Sequence, residues 1–540
     1  MTHPPDIHPG KFSLNVSGVA GFFGGDEAIS AIQTIHHYKA RKFLGWYNSP
    51  GSWNVGKKFG KLAKSPFWDG LFPGANEEPA KLFDLDGKRG PKYVAARSGT
   101  VLEHTGHLAY LIMEKSKEEL GVLVPGKRKI TKLNKVTIIK MPSVFGEPPP
   151  QGGLGEALSQ GGEVRLKGGE ATQQGAQQAK GQPSNVELVY DILPHRGGHA
   201  LAAILPIAAS WITCAMCGWI RDWFCFSMIL LGIISNGMFS LVIGLACLKL
   251  QGVGTAPTAP PGDGMLMDGD NIVLLLGREK EVATITRGRF ILEYNNMVRW
   301  RSRKEKMKRS VPGDGTRLPE SNRNGDAEEG QSNSDLEQSE EPVRDEYAAI
   351  GFFSFLLVAQ LLAQLLLIPQ GTFTGQIMFL ISFAVSWLYN LYLSSIDNEY
   401  IQERSILEIF HLEKKHMRTY ICRTRTTAAV FTCLMLRPPG IYEESGWKNL
   451  GFKPESIICN FIPNDTLVWI TWRKKVLDVM RTHNHDGDPV ACHNLLQMTN
   501  EEKRDFDANN RTLLETLLGD ARAAYDLAMR EQKWLTAALP

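Results

Sequence analysis

Charged residues are absent from four long stretches of this 540-residue sequence. The stretches are 200–220, 223–248, 348–368 and 372–393, and none contains Lys, Arg, Asp, Glu or His. Each reaches the roughly 20 residues that cross a hydrocarbon core of about 30 Å, where a backbone without water must be helical. The sequence therefore predicts four transmembrane helices. Because they hold no carboxylate or basic side chain, a proton- or ion-coupled transporter is disfavoured.

Cysteines and catalytic motifs are also scarce. Eight cysteines are too few for a disulfide framework in a chain of this length and are typical of a reducing compartment. The sequence contains no nucleophile elbow, P-loop, zinc-protease helix or kinase signature. The formal charge of +3 is nearly balanced. We therefore expect no cofactor and no nucleic-acid partner.

Very short connections, 221–222 and 369–371, join the apolar runs in two pairs. The expected fold class is an α-helical integral membrane protein with two tight hairpins, mixed α/β cytosolic regions and disordered linkers. Two hairpins would place 1–146, the middle loop 249–347 and 394–540 on one side of the membrane. The N-terminus lacks a basic region followed by an apolar core, so no secretory signal is expected and the termini are predicted to be cytosolic.

Composition divides the remaining sequence further. Pro, Gly and Gln cluster in 147–185, which is predicted to be a flexible linker. The middle loop is expected to hold a small folded unit at 266–297 and a disordered acidic stretch at 310–346. Between them, the basic run 299–309 could contact anionic lipid head groups, or be a solvated basic face or a trafficking signal. The lipid-surface candidates are Arg299, Arg301, Arg303, Lys304, Lys306, Lys308 and Arg309.

Hydrophobic periodicity predicts several elements outside the apolar runs. We expect a helix at 26–43 and a strand at 136–139. In the middle loop, a strand at 271–276, a short helix at 278–287 and a strand at 290–294 would form one small β–α–β element.

Two further helices are expected in the C-terminal region. One is amphipathic and covers 398–418. The other, at 467–480, would face the membrane interface or a partner through Trp469 and Trp472. A leucine-rich stripe between 513 and 528 predicts a third helix, which would dock on the C-terminal domain or mediate self-association.

Small and polar residues recur at every fourth position of the predicted transmembrane helices. The stripe in the second helix would pack against the first helix, and Asn236 would hydrogen-bond across that interface. Glutamines of the third helix and serines of the fourth would form a second seam, or else line a narrow polar path. The packing candidates are Gly232, Asn236, Ser240, Gly244, Gln360, Gln364, Ser382 and Ser386.

One cluster of metal-ligand side chains occurs in the C-terminal region. It comprises His483, His485, Asp486, Asp488, Cys492 and His493, of which His483, His485, Asp488 and His493 are the metal candidates. No second His or Cys pair stands at the spacing of a structural zinc site, so a polar loop is favoured over a metal site.

Three segments resemble stretches of uncharacterised multi-pass membrane proteins of filamentous fungi. They are EVATITRGRF at 281–290, TRTTAAVF at 424–431 and IPNDTLVW at 462–469. The resemblance covers the region from the first hairpin to the C-terminal domain. It implies the membrane architecture, and that group has no established activity to carry over.

The function we expect is that of a non-enzymatic membrane protein. Its hairpins would anchor cytosolic interaction regions at a membrane surface, with a cytosolic protein or a second copy as partner. One alternative is a channel or transporter subunit that assembles its pore from several copies. A second alternative is a membrane-bound enzyme with its site in the C-terminal region.

Overall fold

A computed structural model describes residues 24–74, 77–124, 132–142, 188–192, 199–256, 259–294, 347–438, 444–482 and 489–536. Contacts divide the chain into two units. The first unit draws on Met1–Asp86, Asp191–Lys249 and Phe290–Ile401; the second draws on Gly87–Tyr190, Leu250–Arg289 and Gln402–Pro540. The predicted N-terminal region 1–146 is therefore divided between them. The predicted linker 147–185 and the stretch 310–346 both lie wholly outside the described residues.

The first ten helices are α1 (Gly25–Gln33), α2 (Ser52–Gly60), α3 (Pro66–Leu71), α4 (Pro79–Leu82), α5 (His107–Glu118), α6 (His199–Trp219), α7 (Trp223–Ile243), α8 (Glu279–Arg287), α9 (Ala348–Leu367) and α10 (Phe373–Ser394). The later helices are α11 (Asn398–Ile409), α12 (Arg425–Met435), α13 (Glu444–Asn449), α14 (Pro454–Phe461), α15 (Leu467–Thr482), α16 (Pro489–Leu495), α17 (Glu502–Asp505) and α18 (Ala508–Thr536). The strands are β1 (Lys92–Ala95), β2 (Val101–Leu102), β3 (Val122–Leu123), β4 (Asn134–Lys140), β5 (Leu188–Asp191), β6 (Cys247–Gly252), β7 (Gly264–Asp268), β8 (Asn271–Leu276), β9 (Arg289–Glu293) and β10 (Met417–Cys422).

Four helices, α6, α7, α9 and α10, are long and apolar enough to cross a membrane, judged by length and composition. They coincide with the four predicted apolar runs. Helix α7 ends at Ile243, earlier than the predicted end at residue 248. Gly244 caps this helix, its amide donating to the carbonyl of Ser240, and the chain then enters β6 at Cys247.

The helices of the first unit form a closed ring. In order round the ring, α1 contacts α2, α2 contacts α9, α9 contacts α7, α7 contacts α6, α6 contacts α10, and α10 contacts α1. Helices α9 and α10 follow each other in the chain, yet each makes its broadest contacts elsewhere. The two short N-terminal helices thus complete a ring that the four apolar helices leave open.

A single carboxylate joins the two chain reversals of the ring. Asp222, between α6 and α7, accepts hydrogen bonds from the amide and the hydroxyl of Thr372, each at 2.7 Å. Its other oxygen accepts from the amide of Cys225 at 3.1 Å and so caps α7. Thr372 in turn caps α10. Both reversals therefore lie at the same end of the ring.

The second unit is built on a seven-stranded mixed sheet, in the order β2-β1-β7-β8-β4-β10-β3. Strand β4 pairs in parallel with β8, from Lys135 opposite Asn271 to Lys140 opposite Leu276. On its other side, β4 pairs antiparallel with β10. Helices α6 and α7 separate β4 from β8 in the sequence, and helices α9 and α10 separate β8 from β10. A separate three-stranded sheet has the order β5-β6-β9.

C-terminal helices cover this sheet and bury most of its core. Helix α12 contacts β4, α14 and α18, as the predicted docking of the leucine-rich stripe requires. Trp472 of α15 is 1% exposed and donates its indole N–H to the carbonyl of Leu517 at 3.1 Å. It packs inside the unit, so the prediction of an interfacial Trp472 is wrong. Asp520 accepts from the hydroxyls of Thr424 and Thr426, which leaves its buried carboxylate hydrogen-bonded.

Two predicted helices are shorter in the structure. The helix expected at 26–43 ends at Gln33, and 3-10 turns follow at Thr34–His36 and Arg41–Phe43. The amphipathic helix expected at 398–418 ends at Ile409, and its last residues belong to β10. Pairing of β10 with β4 supplies backbone partners that helical periodicity does not reveal.

The predicted strand at 136–139 is confirmed within β4, and the three elements of the middle loop are confirmed as β8, α8 and β9. They do not form one β–α–β element, however. β8 joins the seven-stranded sheet, whereas β9 joins the three-stranded sheet. The pattern predicted each strand but could not show which partner each would pair with.

Candidate functional site: a polar segment inside the helix ring

We call residues 41–50 the inserted segment. Its second half, from Gly45 to Pro50, runs through the interior of the first unit, whereas Phe43 is 57% exposed. The inserted segment connects the region of α1 to α2 and follows the inner face of α7. Glycines of α7 make room for this close approach: a Cβ added to Gly244 would lie 2.3 Å from Lys42 Cβ, and one added to Gly237 would lie 2.4 Å from the Trp46 ring. A Cβ added to Gly232 would lie 2.0 Å from Asn48 Oδ1.

The inserted segment is not helical beyond Phe43, so its backbone needs partners from neighbouring side chains. Asn236 Nδ2 donates to the carbonyl of Gly45 at 2.7 Å and to that of Tyr47 at 3.3 Å. The amide of Asn48 donates to Ser210 Oγ at 3.0 Å. Side chains of α7 and α6 thus take the place of a helical hydrogen-bond ladder.

Side chains of the segment are held from the opposite side by α10. The Tyr47 hydroxyl donates to Asn390 Oδ1 at 2.9 Å, and Asn390 Nδ2 donates to Ser49 Oγ at 3.0 Å. Ser382 of α10 shares a hydrogen bond with Ser210 at 3.2 Å, next to the Asn48 amide. The inserted segment therefore links helices that are far apart in the sequence.

Helix α9 contributes Gln360 next to Asn48 and Gly232. Gln360 Oε1 accepts from the hydroxyl of Ser235 in α7, and a Cβ added to Gly232 would lie 3.3 Å from Gln360 Nε2. Ser210, Gly232 and Gln360 each lie close to the midpoint of their helix. The polar side chains that surround Asn48 are thus concentrated halfway along the ring.

Several buried amide and hydroxyl atoms in this interior have no hydrogen-bond partner among the described residues. They include both side-chain polar atoms of Asn48, both of Gln364, Nε2 of Gln360 and Oγ of Ser386. All four side chains are fully buried. An unsatisfied buried polar group costs about 1–3 kcal/mol. The interior can therefore accept further hydrogen-bonding groups, such as ordered water or a small polar solute.

A buried charge lies at the start of the inserted segment. The Arg41 guanidinium carbon lies 5.5 Å from the centroid of the Tyr389 ring, and the residue is 2% exposed. Nearby, burial lowers the pKa of His36 to about 3, and the neighbouring His37 and Lys42 act in the same direction. His36 is thus neutral near pH 7, and Arg41 remains the charged group.

The structure places all eight sequence-predicted packing residues inside the first unit. The stripe of α7 faces the inserted segment along its whole length, with Ser240 opposite Gly45. Asn236 was predicted to bond to the preceding helix, but its partners are the Gly45 and Tyr47 carbonyls. Gln360 bonds to Ser235 of α7 and Ser382 to Ser210 of α6, rather than to each other. Gln364 and Ser386 are buried.

Most of the other candidates lie outside the described residues. These are His483, His485, Asp488 and the whole basic run 299–309. His493 is described, and its Nε2 lies 2.8 Å from Asp526 Oδ1. Within the described residues, no group of three His, Cys, Asp or Glu side chains could hold a metal ion.

Sequence reasoning missed the inserted segment because nothing in its composition marks it. The segment RKFLGWYNSP is too polar and too short to indicate burial between apolar helices. The spacing of Gly232, Asn236, Ser240 and Gly244 did indicate that some backbone approaches α7 closely. It could not identify which backbone.

No family model, no curated protein and no solved structure matches this chain. The resemblance to fungal membrane proteins therefore stays a prediction, and the interpretation of the site depends on its geometry.

We predict that Gly232→Ala will destabilise the protein by about 1–3 kcal/mol, because the added methyl overlaps Asn48 and the core must shift. Gly218→Ala in α6 is the matched control, since its Cβ would meet the Phe226 ring at an ordinary 3.4 Å. Thermal unfolding of both variants in detergent measures the difference. Equal unfolding temperatures would show that Asn48 does not lie against Gly232.

Proposed function

We propose that the protein is an integral membrane protein in which two helical hairpins hold one α/β domain at a single membrane surface. The observation that carries the proposal is the order of the central strands of the sheet. Strands β8, β4 and β10 are neighbours, although a pair of long apolar helices separates β4 from β8 and another separates β8 from β10. If each helix crosses a membrane, both pairs must cross and return.

The bond between the two chain reversals supports the same topology. Asp222 accepts from Thr372, so both pairs of helices turn at the same end of the first unit. The opposite ends of the helices then carry the chain segments that precede and follow each pair. Large soluble segments thus stay on one side, which by the sequence argument is the cytosol.

The distribution of side chains round the ring supports a lipid environment. Large apolar residues point outwards, among them Trp219 at 90% exposed, Leu201 at 75% and Leu366 at 70%. Polar residues such as Gln360 and Asn390 are fully buried. A soluble bundle shows the reverse arrangement, whereas lipid favours an apolar exterior and internally satisfied polar groups.

The anchored domain offers a surface for a protein partner. At the sheet edge formed by β3, Leu120 is 95% exposed, and Val122 and Leu123 are also exposed. They line a cavity of about 410 Å³ together with Tyr420 and Leu527. Exposed apolar groups at a strand edge are typical of interaction sites. These features favour an interaction domain over a catalytic one.

Because the second unit is placed on the cytosolic side, we predict that Asn464 and Asn510 carry no glycan in cells. Both belong to Asn-X-Thr sequons on the exposed surface of the second unit, so they would be modified readily in a lumen. Expression in a glycosylating cell, followed by glycosidase treatment, measures this as a gel shift. A sequon-bearing loop inserted after Gln370 is the positive control and should be modified. Glycan on Asn464 or Asn510 would place the domain on the other side.

A second candidate function is passage or binding of a polar solute within the ring. It is favoured by the unpartnered amide atoms of Gln360 and Gln364 on α9, a helix that could span a membrane, and of Asn48 in the inserted segment. Irregular backbone at such depth occurs where it is buried in protein or lines a cavity. The inserted segment fills this interior, so a pathway would require the segment to move.

Gln364→Leu separates the two functions. If the protein is an anchor, removing an unpartnered buried amide should leave the unfolding temperature unchanged or raise it. Flux of potassium, chloride and glycerol into proteoliposomes should then stay at the level of empty liposomes for the wild type and for Gln364→Leu. Flux in the wild type that Gln364→Leu abolishes, and that Gln370→Leu at the exposed reversal retains, would support the pathway instead.

A further inference from the structure

Arg41 carries a buried positive charge that the described residues do not neutralise. Its side chain is 2% exposed, and the one hydrogen-bonding neighbour of its guanidinium among the described residues is the uncharged Tyr47 hydroxyl. No carboxylate of the described residues forms an ion pair with it. We propose that Arg41 binds a phosphate group inside the first unit, supplied either by a lipid head group or by free phosphate. The proposal goes beyond the anchoring function and does not depend on which side the domain faces.

The contacts of Arg41 must offset the cost of burying its charge. Burying an ion without a counter-charge costs far more than one hydrogen bond returns. The contacts to Arg41 are the Tyr389 ring, 5.5 Å from the guanidinium, and the Tyr47 hydroxyl, which is within hydrogen-bonding reach. The C-terminal end of α10 adds at most about half an elementary charge. None of these contacts carries a formal negative charge, and an anion would supply one.

Neighbouring groups favour an anion over any other ligand. The Tyr389 hydroxyl is buried and has no hydrogen-bond partner among the described residues, so it can donate to the same ligand. The Tyr47 hydroxyl already donates to Asn390. The other titratable groups on this stretch are His36, His37, Tyr38, Lys39 and Lys42, and no Asp or Glu is among them. His36 is neutral, and none of these groups brings a negative charge to Arg41.

The chemistry of guanidinium points to phosphate. Its planar set of donors matches two phosphate oxygens at once, which a Lys ammonium cannot do. Tyr389 lies five residues before Ser394, the end of α10, which is about 8 Å along the helix axis. A group entering from that face of a membrane would have a short way to travel. Both a lipid phosphate and a free phosphate can enter this way, and the experiment separates them.

The test uses the full-length protein purified in a phosphate-free, non-phospholipid detergent. Thermal unfolding is measured with sodium phosphate against sodium chloride at equal ionic strength, and with phosphatidylglycerol against diacylglycerol. We expect one of the phosphate-containing additions to raise the unfolding temperature of the wild type by about 3 °C or more. A response to free phosphate identifies a soluble ligand, and a response to phosphatidylglycerol alone identifies a lipid.

Arg41→Gln should lose this response and, without any addition, should unfold at or above the wild-type temperature, because it removes an uncompensated charge. Arg404→Gln, which changes an exposed arginine, should respond like the wild type. Equal responses of wild type and Arg41→Gln would overturn the proposal. If Arg41→Gln fails to fold, the wild type alone tests the proposal. The absence of a thermal response, together with no phosphorus bound per chain after dialysis, would then also overturn the proposal.

Discussion

The structure of the first unit depends on one constraint: a buried backbone must have every amide and carbonyl paired. Between Phe43 and Ser52 the chain is not helical, yet it lies inside a ring of helices. Asn236 and Ser210 supply hydrogen bonds to this backbone that a helix would otherwise make internally, and Asn390 holds the side chains of Tyr47 and Ser49. This requirement explains why polar side chains occur halfway along helices whose outer faces are apolar.

The same constraint gives the four apolar helices their arrangement. Had they packed only on each other, their polar stripes would have met helix to helix. Instead, the N-terminal region enters between them, α1 lying on α10 and α2 on α9. The small residues of α7 then serve the approach of the inserted segment, with Gly244 facing Lys42 and Gly232 facing Asn48. The N-terminal region is thus part of the bundle's core.

Part of this architecture was predictable from the sequence, and the rest was not, for physical reasons. Apolar length alone predicted the four helices, because the absence of charge over some 20 residues is a local property. The strands β4 and β8 were also locally visible. Their parallel pairing, Lys135 opposite Asn271, is a contact between distant segments that no local pattern encodes. Arg41 was missed for the same reason, since its burial depends on Tyr389, far along the chain.

The most direct test of this account is a double-mutant cycle on Tyr47 and Asn390, which are joined by a 2.9 Å hydrogen bond although 343 residues separate them. Tyr47→Phe, Asn390→Ala and the double variant would be compared by unfolding free energy in detergent. If the inserted segment lies inside the ring, the two changes should couple by about 0.5–3 kcal/mol. Effects that add within about 0.3 kcal/mol would show that the two side chains do not meet, and would contradict the account.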